Sequence, residues 1–190
     1  DQAAFEGSSV ASVEVAEGNP HLSSFDGMLF DADRTRLLLV PEGKQGAARI
    51  PKEAEVVDPS CFSHSAGVSA IDVEAGSAAF SSRNGCLYDA SGETLLRVPA
   101  GVTEIQIADG CTTVAAGSME GCASLAIIHA PASVVEVSGC AFGEGQDAND
   151  MASSAIELAL DDEATRACWE DAGLLGNGRG DGLGLQESAS

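Results

Sequence analysis

A repeat solenoid with short parallel strands, two inserted β-hairpins and a short C-terminal helix is the fold class that three observations in this sequence predict. The first is a duplication: residues 10–43 return as residues 68–101, identical at 14 of 34 positions. The second is a shorter unit beneath it, anchored near positions 16, 51, 74, 108 and 131, so that spacings of 35, 23, 34 and 23 residues alternate. The third is that the longer units exceed the shorter ones by 11 or 12 residues carrying a hairpin pattern of their own. Self-similarity at such periods marks stacked repeats, because one turn cannot bury its apolar residues alone and neighbouring turns must close the core.

Ile50-Pro51 is followed by Val57, Phe62, Val68, Ile71 and Val73, and Ile107-Ala108 by Val114, Met119, Leu125 and Ile128. Ala130-Pro131 opens another turn with Val134, Val137 and Phe142. Apolar alternation in residues 68–73 and 125–128 predicts one short strand per turn. The proline ends that strand because it brings no donor to a continuing ladder. Stacked turns then pair their strands in parallel around a continuous apolar column.

The inserts are predicted as β-hairpins. Met28-Leu29-Phe30 and residues 37–40 flank a polar loop, as do Cys86-Leu87-Tyr88 and residues 95–98. Gly27 and Gly85, each after an Asp or Asn, supply the sharp turn that leads in. Both hairpins are expected to project from the same side of the stack. Residues 161–173 then read as an acid-capped helix, with Ala164, Ala167, Cys168 and Leu174 on the inner face and Gly173 as its stop. Trp169, the only tryptophan, is placed to seal the last turn. The chain divides into a solenoid over 1–160 and a short capping helix with a glycine-rich tail over 161–190.

Nine Lys and Arg against 30 Asp and Glu give a net charge of −21. Such a surface repels phosphate, so neither nucleic acid nor an anionic membrane is expected as a partner. No apolar run approaches the roughly 18 to 20 residues of a membrane span. The start at Asp1, with no initiating Met, is what a removed signal segment or a trimmed start leaves. The six cysteines contain no Cys-x-x-Cys pair. Cys61, Cys111, Cys122 and Cys140 stand where other repeats carry Ser, Ala or Gly, which fits small buried free thiols; an even count also permits disulfides in an exported protein.

The pattern offers little to reactive chemistry. His21, His64 and His129 have no His or Cys three or four residues away, as a helical metal motif requires. Ser118 fails the spacing of a nucleophile elbow, and Lys44 lacks the flanking residues of a phosphate loop. Asp161-Asp162-Glu163 precede a helix, whose positive end favours acids. Catalytic residues, metal ligands and cofactors are therefore all expected to be none. In the tail, Arg179-Gly180-Asp181 spells an adhesive tripeptide within alternating glycines. The same segment lacks the acidic core of a calcium loop, since Arg179 falls at a ligand position.

The repeated pattern resembles the BspA-type leucine-rich repeat proteins, a bacterial surface-protein group. It is carried by Asp26-Gly27-Met28-Leu29-Phe30-Asp31 with Leu37-Leu38-Leu39-Val40-Pro41, by Asn84-Gly85-Cys86-Leu87-Tyr88-Asp89 with Leu95-Leu96-Arg97-Val98-Pro99, and by Ile50-Pro51, Cys61-Phe62 and Cys140-Ala141-Phe142. The resemblance covers about residues 10 to 160. It implies a curved leucine-rich-repeat solenoid, a right-handed β-α-type superhelix, and export to the cell envelope or the extracellular space. It further implies work by protein binding or adhesion, with no catalytic residues.

The function expected from these readings is a non-catalytic, secreted or surface-attached bacterial module whose partner is a host or bacterial extracellular protein. The candidate surface is the outward strand residues Ser12, Glu14, Ala70, Asp72, Ile127 and His129, with the hairpin tips Asp33, Arg34, Ser91 and Gly92. Arg179, Gly180 and Asp181 are a subsidiary adhesion motif. One alternative is a structural spacer of a larger surface protein. Another is a carbohydrate-binding module, for which aromatics at 4% supply few stacking platforms.

Overall fold

The structure, a computed structural model, describes residues 7–143, 157–160 and 163–172. Two three-stranded hairpin units, β1 (Leu22–Phe25), β2 (Met28–Asp31), β3 (Leu37–Leu39) and β6 (Phe80–Arg83), β7 (Cys86–Asp89), β8 (Thr94–Arg97), enclose β4 (Gly46–Ile50), a 3-10 turn (Pro59–Phe62) and β5 (Val68–Val73). After them come β9 (Glu104–Gln106), β10 (Thr113–Val114), β11 (Ile127–Ala130), β12 (Glu136–Val137), β13 (Glu157–Leu160) and α1 (Glu163–Asp171).

Two sets of parallel rungs run through the stack. In the first, β4 pairs with β5, and β9, β11 and β13 pair in succession. In the second, β8, β10 and β12 pair in succession, and a parallel bridge from Arg36 to Val56 repeats the arrangement in the first unit. The anchors at 51, 74, 108 and 131 fall at or just past the ends of β4, β5, β9 and β11. Residues 10–15 form no ladder, so the expected strand there is replaced by single contacts such as Val13 N to Gly27 O at 2.8 Å. The alternation in β5 is also broken: Val68 and Ile71 are both buried although three apart, because a bulge at Ser69 turns the chain over between them.

The hairpins correct one expectation. Each begins a strand earlier than predicted, at β1 and β6, and they do not project. Asp26 and Gly27 have φ of 52° and 75°, and Asn84 and Gly85 have 51° and 73°. Positive φ at both central residues is the turn that matches strand twist, and it suits Asp-Gly and Asn-Gly. Each turn lies against the first ladder: Gly85 O accepts from Ile71 N at 2.8 Å, and Asn84 Nδ2 donates to Gln106 O at 3.1 Å. The turn thus stands between β5 and β9 where a strand would have stood. Projection is excluded by composition, since Met28, Phe30, Leu87, Tyr88 and Leu95 are completely buried, and each would forgo about 1.5–3 kcal/mol if left in water.

The apolar column is divided in two. One cluster runs from Met28 and Phe30 through Ile50, Phe62 and Ile71 to Leu87. The other runs from Cys86 and Tyr88 through Val114, Met119 and Ile128 to Phe142 and Trp169. Strand β7 is the partition, with Leu87 facing one cluster and Cys86 and Tyr88 the other, which is why three consecutive residues are all buried. Trp169 closes the second cluster against Val137 and Phe142. The inner face of α1 differs from expectation: Thr165 and Trp169 are buried and Cys168 half-buried, whereas Ala164 and Ala167 face solvent. The bulky Trp169 takes the core position and turns the alanines outward; Leu174 lies outside the described residues.

Candidate interaction surface

The inward side of the first ladder is spent on Ala48, Ile50, Val68, Ile71, Ile105 and Ile128. Its outward side follows from register: Ala47 lies beside Ala70, Arg49 beside Asp72, Glu104 beside Ile127 and Gln106 beside His129. Asp72 is exposed, and Ala70, Ile127 and His129 are half-buried. Ser12 and Glu14 are exposed on the segment that precedes the first hairpin. A histidine–carboxylate hydrogen bond and an ion pair cross this strip. His129 Nε2 meets Glu104 Oε1 at 2.8 Å, and Arg49 meets Glu74 at 3.3 Å.

The hairpin tips are less alike than their sequences. Asp33 and Arg34 are exposed, as is Ser91. Gly92 is buried and offers no surface: the Arg83 guanidinium covers it so closely that an added Cβ would lie 2.5 Å from Arg83 Cζ. The tip loops share an anchor. Asp31 accepts from Thr35 Oγ1 at 2.6 Å and Arg36 N at 3.1 Å; Asp89 accepts from Ser91 Oγ at 2.7 Å and Thr94 N at 3.1 Å. Partial burial would raise both carboxyls, but these donors outweigh it and hold both below the usual carboxylate value.

Sequence reading missed the groups that lock each hairpin to the stack. Lys44, 7% exposed, donates to Asp26 O at 2.6 Å and pairs with Asp26 Oδ2 at 2.9 Å. At the duplicated positions stand Val102 and Asn84. The lysine and its acid disappear together, because either alone would be left poorly compensated in a half-buried place. Phe30 and Pro51 likewise become Tyr88 and Ala108, and the new hydroxyl accepts the new N–H at 3.0 Å. A third exchange moves a cation. Arg34 reaches over Phe25, 5.5 Å from the ring centroid, whereas the second unit has Arg83 for Phe25 and Gly92 for Arg34. Arg34 has φ 61°; a left-handed non-glycine costs about 1–2 kcal/mol, and an exposed cation–π contact returns about 0.5–1 kcal/mol. Comparing the two copies position by position would have exposed all three exchanges.

Arg97 stands where the first unit has Leu39, and it is completely buried. It donates to Gly117 O at 2.9 Å and to Glu120 O, tying the hairpin to the next turn. Burial pulls its pKa below the ordinary guanidinium value. No cysteine is in a disulfide, and Cys61, Cys86, Cys111 and Cys122 are buried. Cys140 departs from the expected burial and is exposed, at the rim of an open groove of about 360 Å³ beside Asp58 and Glu120. Burial pushes the Cys86 thiol up to about 12 and Cys122 up to about 11, so neither supplies a thiolate at neutral pH. Among the described residues no group of three or more His, Cys, Asp or Glu is placed to hold a metal ion, and no helix is long and apolar enough to cross a membrane. Arg179, Gly180 and Asp181 lie outside the described residues.

Strands β4, β5, β9 and β11 are each followed by an anchor of the repeated unit, and the rungs pair in parallel. That is a parallel-strand repeat solenoid. No family model matches the chain, and no curated protein matches it. Solved structures similar to it include a leucine-rich repeat protein from Eubacterium ventriosum, at 18% identity and TM-score 0.46 over 66% of this chain and 37% of that one. A leucine-rich cell surface protein from Faecalibacterium prausnitzii is 22% identical with TM-score 0.43, over 68% of this chain and 38% of that one. The pneumococcal vaccine antigen PcpA is 16% identical with TM-score 0.43, over 55% and 25%. The chain therefore spans well under half the length of each.

Proposed function

We propose that this solenoid is a non-catalytic protein-binding or adhesion module of a secreted or cell-surface bacterial protein. Binding is through the outward side of the first ladder together with the exposed tip of the first hairpin. The observation that carries the reading is the outward strip: Arg49 beside Asp72 and Glu104 beside Ile127 point away from the side chains that close the apolar core. A rigid ladder displaying spaced charges is suited to fixing the register of a partner rather than to bond chemistry. The buried protonated thiols agree with this, and so does the cell-surface description of the Faecalibacterium prausnitzii protein.

The test is to immobilise the chain, identify partners captured from host extracellular matrix and from bacterial secretions, and then reverse charge at Glu14, Asp72 and Glu104 together. A loss of affinity of tenfold or more toward the captured partner is expected. Unchanged affinity with the fold intact places binding elsewhere. Asp181→Glu, which keeps the charge but lengthens the side chain, reads any share taken by the Arg179-Gly180-Asp181 tripeptide.

A further inference from the structure

Asp26, Asn84 and Arg34 are the non-glycine residues with left-handed backbone among those described. The first two open hairpin turns, where Asp and Asn are at home. Arg34 is a bulky residue in that region, and the duplicated unit has Gly92 in its place with φ 77°. The strain of holding Arg34 there and its contact with Phe25 are of similar size and opposite sign, so the fold gains little from the arginine.

The second unit uses its cation differently. Arg83 lies over Gly92 and turns its donors toward Ser91 O and Asp109 O, both at 3.4 Å. Arg34 instead stays exposed, and no carboxylate among the described residues lies within ion-pair distance of it. In a chain with 30 acids to nine bases, an arginine that none of the described acids pairs with is a group held open. Arg49 stands on the same ring, its Cζ 5.8 Å from the Phe25 centroid, with a solvent-exposed side chain paired to Glu74 at 3.3 Å.

From this geometry we propose that Arg34, Phe25 and Arg49 form a docking corner for an acidic peptide segment of a partner protein. The inference rests on the protein-binding reading above and names the chemistry of one part of that surface. Arg34 takes a partner carboxylate in its planar fork of donors, and Arg49 exchanges Glu74 for a second one. Charge complementarity selects an acidic occupant at this corner. A sugar acid is disfavoured because Phe25 already meets two guanidiniums and packs T-shaped with Phe30, ring centroids 6.5 Å apart, leaving no free aromatic platform. The chain's overall negative field opposes such a partner at long range, but at physiological salt that field fades over about 8 Å and the contact decides.

The experiment measures fluorescence anisotropy of a labelled peptide of alternating Glu and Gly, with a Lys-Gly peptide and an oligogalacturonate as comparison probes. Saturable binding of the Glu-Gly peptide is expected, weakened at least fivefold by Arg34→Gly and by Arg49→Gln and unchanged by Arg83→Gln. Arg34→Gly installs the residue of the second unit, so an unaltered thermal midpoint separates lost recognition from lost fold. Equal binding by Arg34→Gly, no binding at all, or preference for the Lys-Gly peptide overturns the proposal; binding of oligogalacturonate alone reassigns the corner to an acidic glycan. If the corner fails while charge reversal on the ladder still abolishes partner capture, the protein-binding reading stands without it.

Discussion

The hydrogen bond from Ala108 N to Tyr88 Oη offers a test of how the hairpin units are locked to the stack. Both groups are buried, at 3.0 Å, and the first unit has neither: Phe30 lacks the hydroxyl and Pro51 lacks the N–H. Tyr88→Phe removes the acceptor and strands a buried N–H, which costs about 1–3 kcal/mol. Ala108→Pro removes the donor, strands a buried hydroxyl and should cost a similar amount; proline at positions 51 and 131 shows that the anchor backbone accepts the ring. The double variant leaves nothing unpaired and reproduces the first unit, so its cost should fall below that of either single change, a coupling at least as large as one single cost, about 1–3 kcal/mol. Urea denaturation of the four proteins at fixed pH reads this directly, and each kcal/mol also moves the thermal midpoint by about 2–4 °C in a chain of this size. Burial raises the Tyr88 phenol well above its ordinary value, so the coupling should not change between pH 6 and 8. Simple additivity of the two single costs would refute the reasoning, because it would mean that donor and acceptor are satisfied independently of each other.

Three further outcomes are expected. Lys44→Val should destabilise by about 1–3 kcal/mol by leaving the half-buried Asp26 carboxylate without its counter-ion, its Oδ2 keeping the hydrogen bond from Arg49 N at 2.8 Å, and Asp26→Asn in the same chain should recover most of the loss by copying Val102 and Asn84; chemical denaturation of both variants decides it. Asp89→Ala should cost about 1 kcal/mol at neutral pH through the lost tip hydrogen bonds. Because the folded carboxyl titrates below its unfolded value, the stability it adds is complete above about pH 4 and disappears as pH falls through the folded value. Wild type and variant should therefore converge in acid, in urea midpoints taken between pH 7 and 3. Finally, iodoacetamide on the native chain at pH 8 should label Cys140 well before Cys86 or Cys122, whose burial holds them protonated; mass spectrometry that finds Cys86 modified first would contradict the buried placement of β7.

The repeat was legible because its signals are long in the chain and few in kind. Apolar anchors and prolines at fixed spacing predicted the rungs β4, β5, β9 and β11, and Gly27 and Gly85 after Asp and Asn marked the tight turns. Strands β1 and β6 were missed because Leu22-Ser23-Ser24-Phe25 and Phe80-Ser81-Ser82-Arg83 are half-polar. Their serines serve backbone partners: Ser24 Oγ accepts from Val15 N and Ser82 Oγ from Val73 N. The lie of the hairpins was misread because a run such as Cys86-Leu87-Tyr88 does not reveal that its two faces serve different clusters. Of the candidate surface, Asp33 and Arg34 are exposed where a tip was expected, while the burial of Gly92 depends on Arg83, nine positions away, which no local pattern could indicate.

The turns at Asp26-Gly27 and Asn84-Gly85 interrupt the first ladder, leaving β4 with β5 as one block and β9, β11 and β13 as another. Across the second interruption the strand-to-strand bonding of that ladder shrinks to isolated links, among them Ile71 N to Gly85 O and Val73 N to Ser82 Oγ. Tension along the stack would concentrate there, because a few bonds loaded one after another yield before a full rung sheared at once.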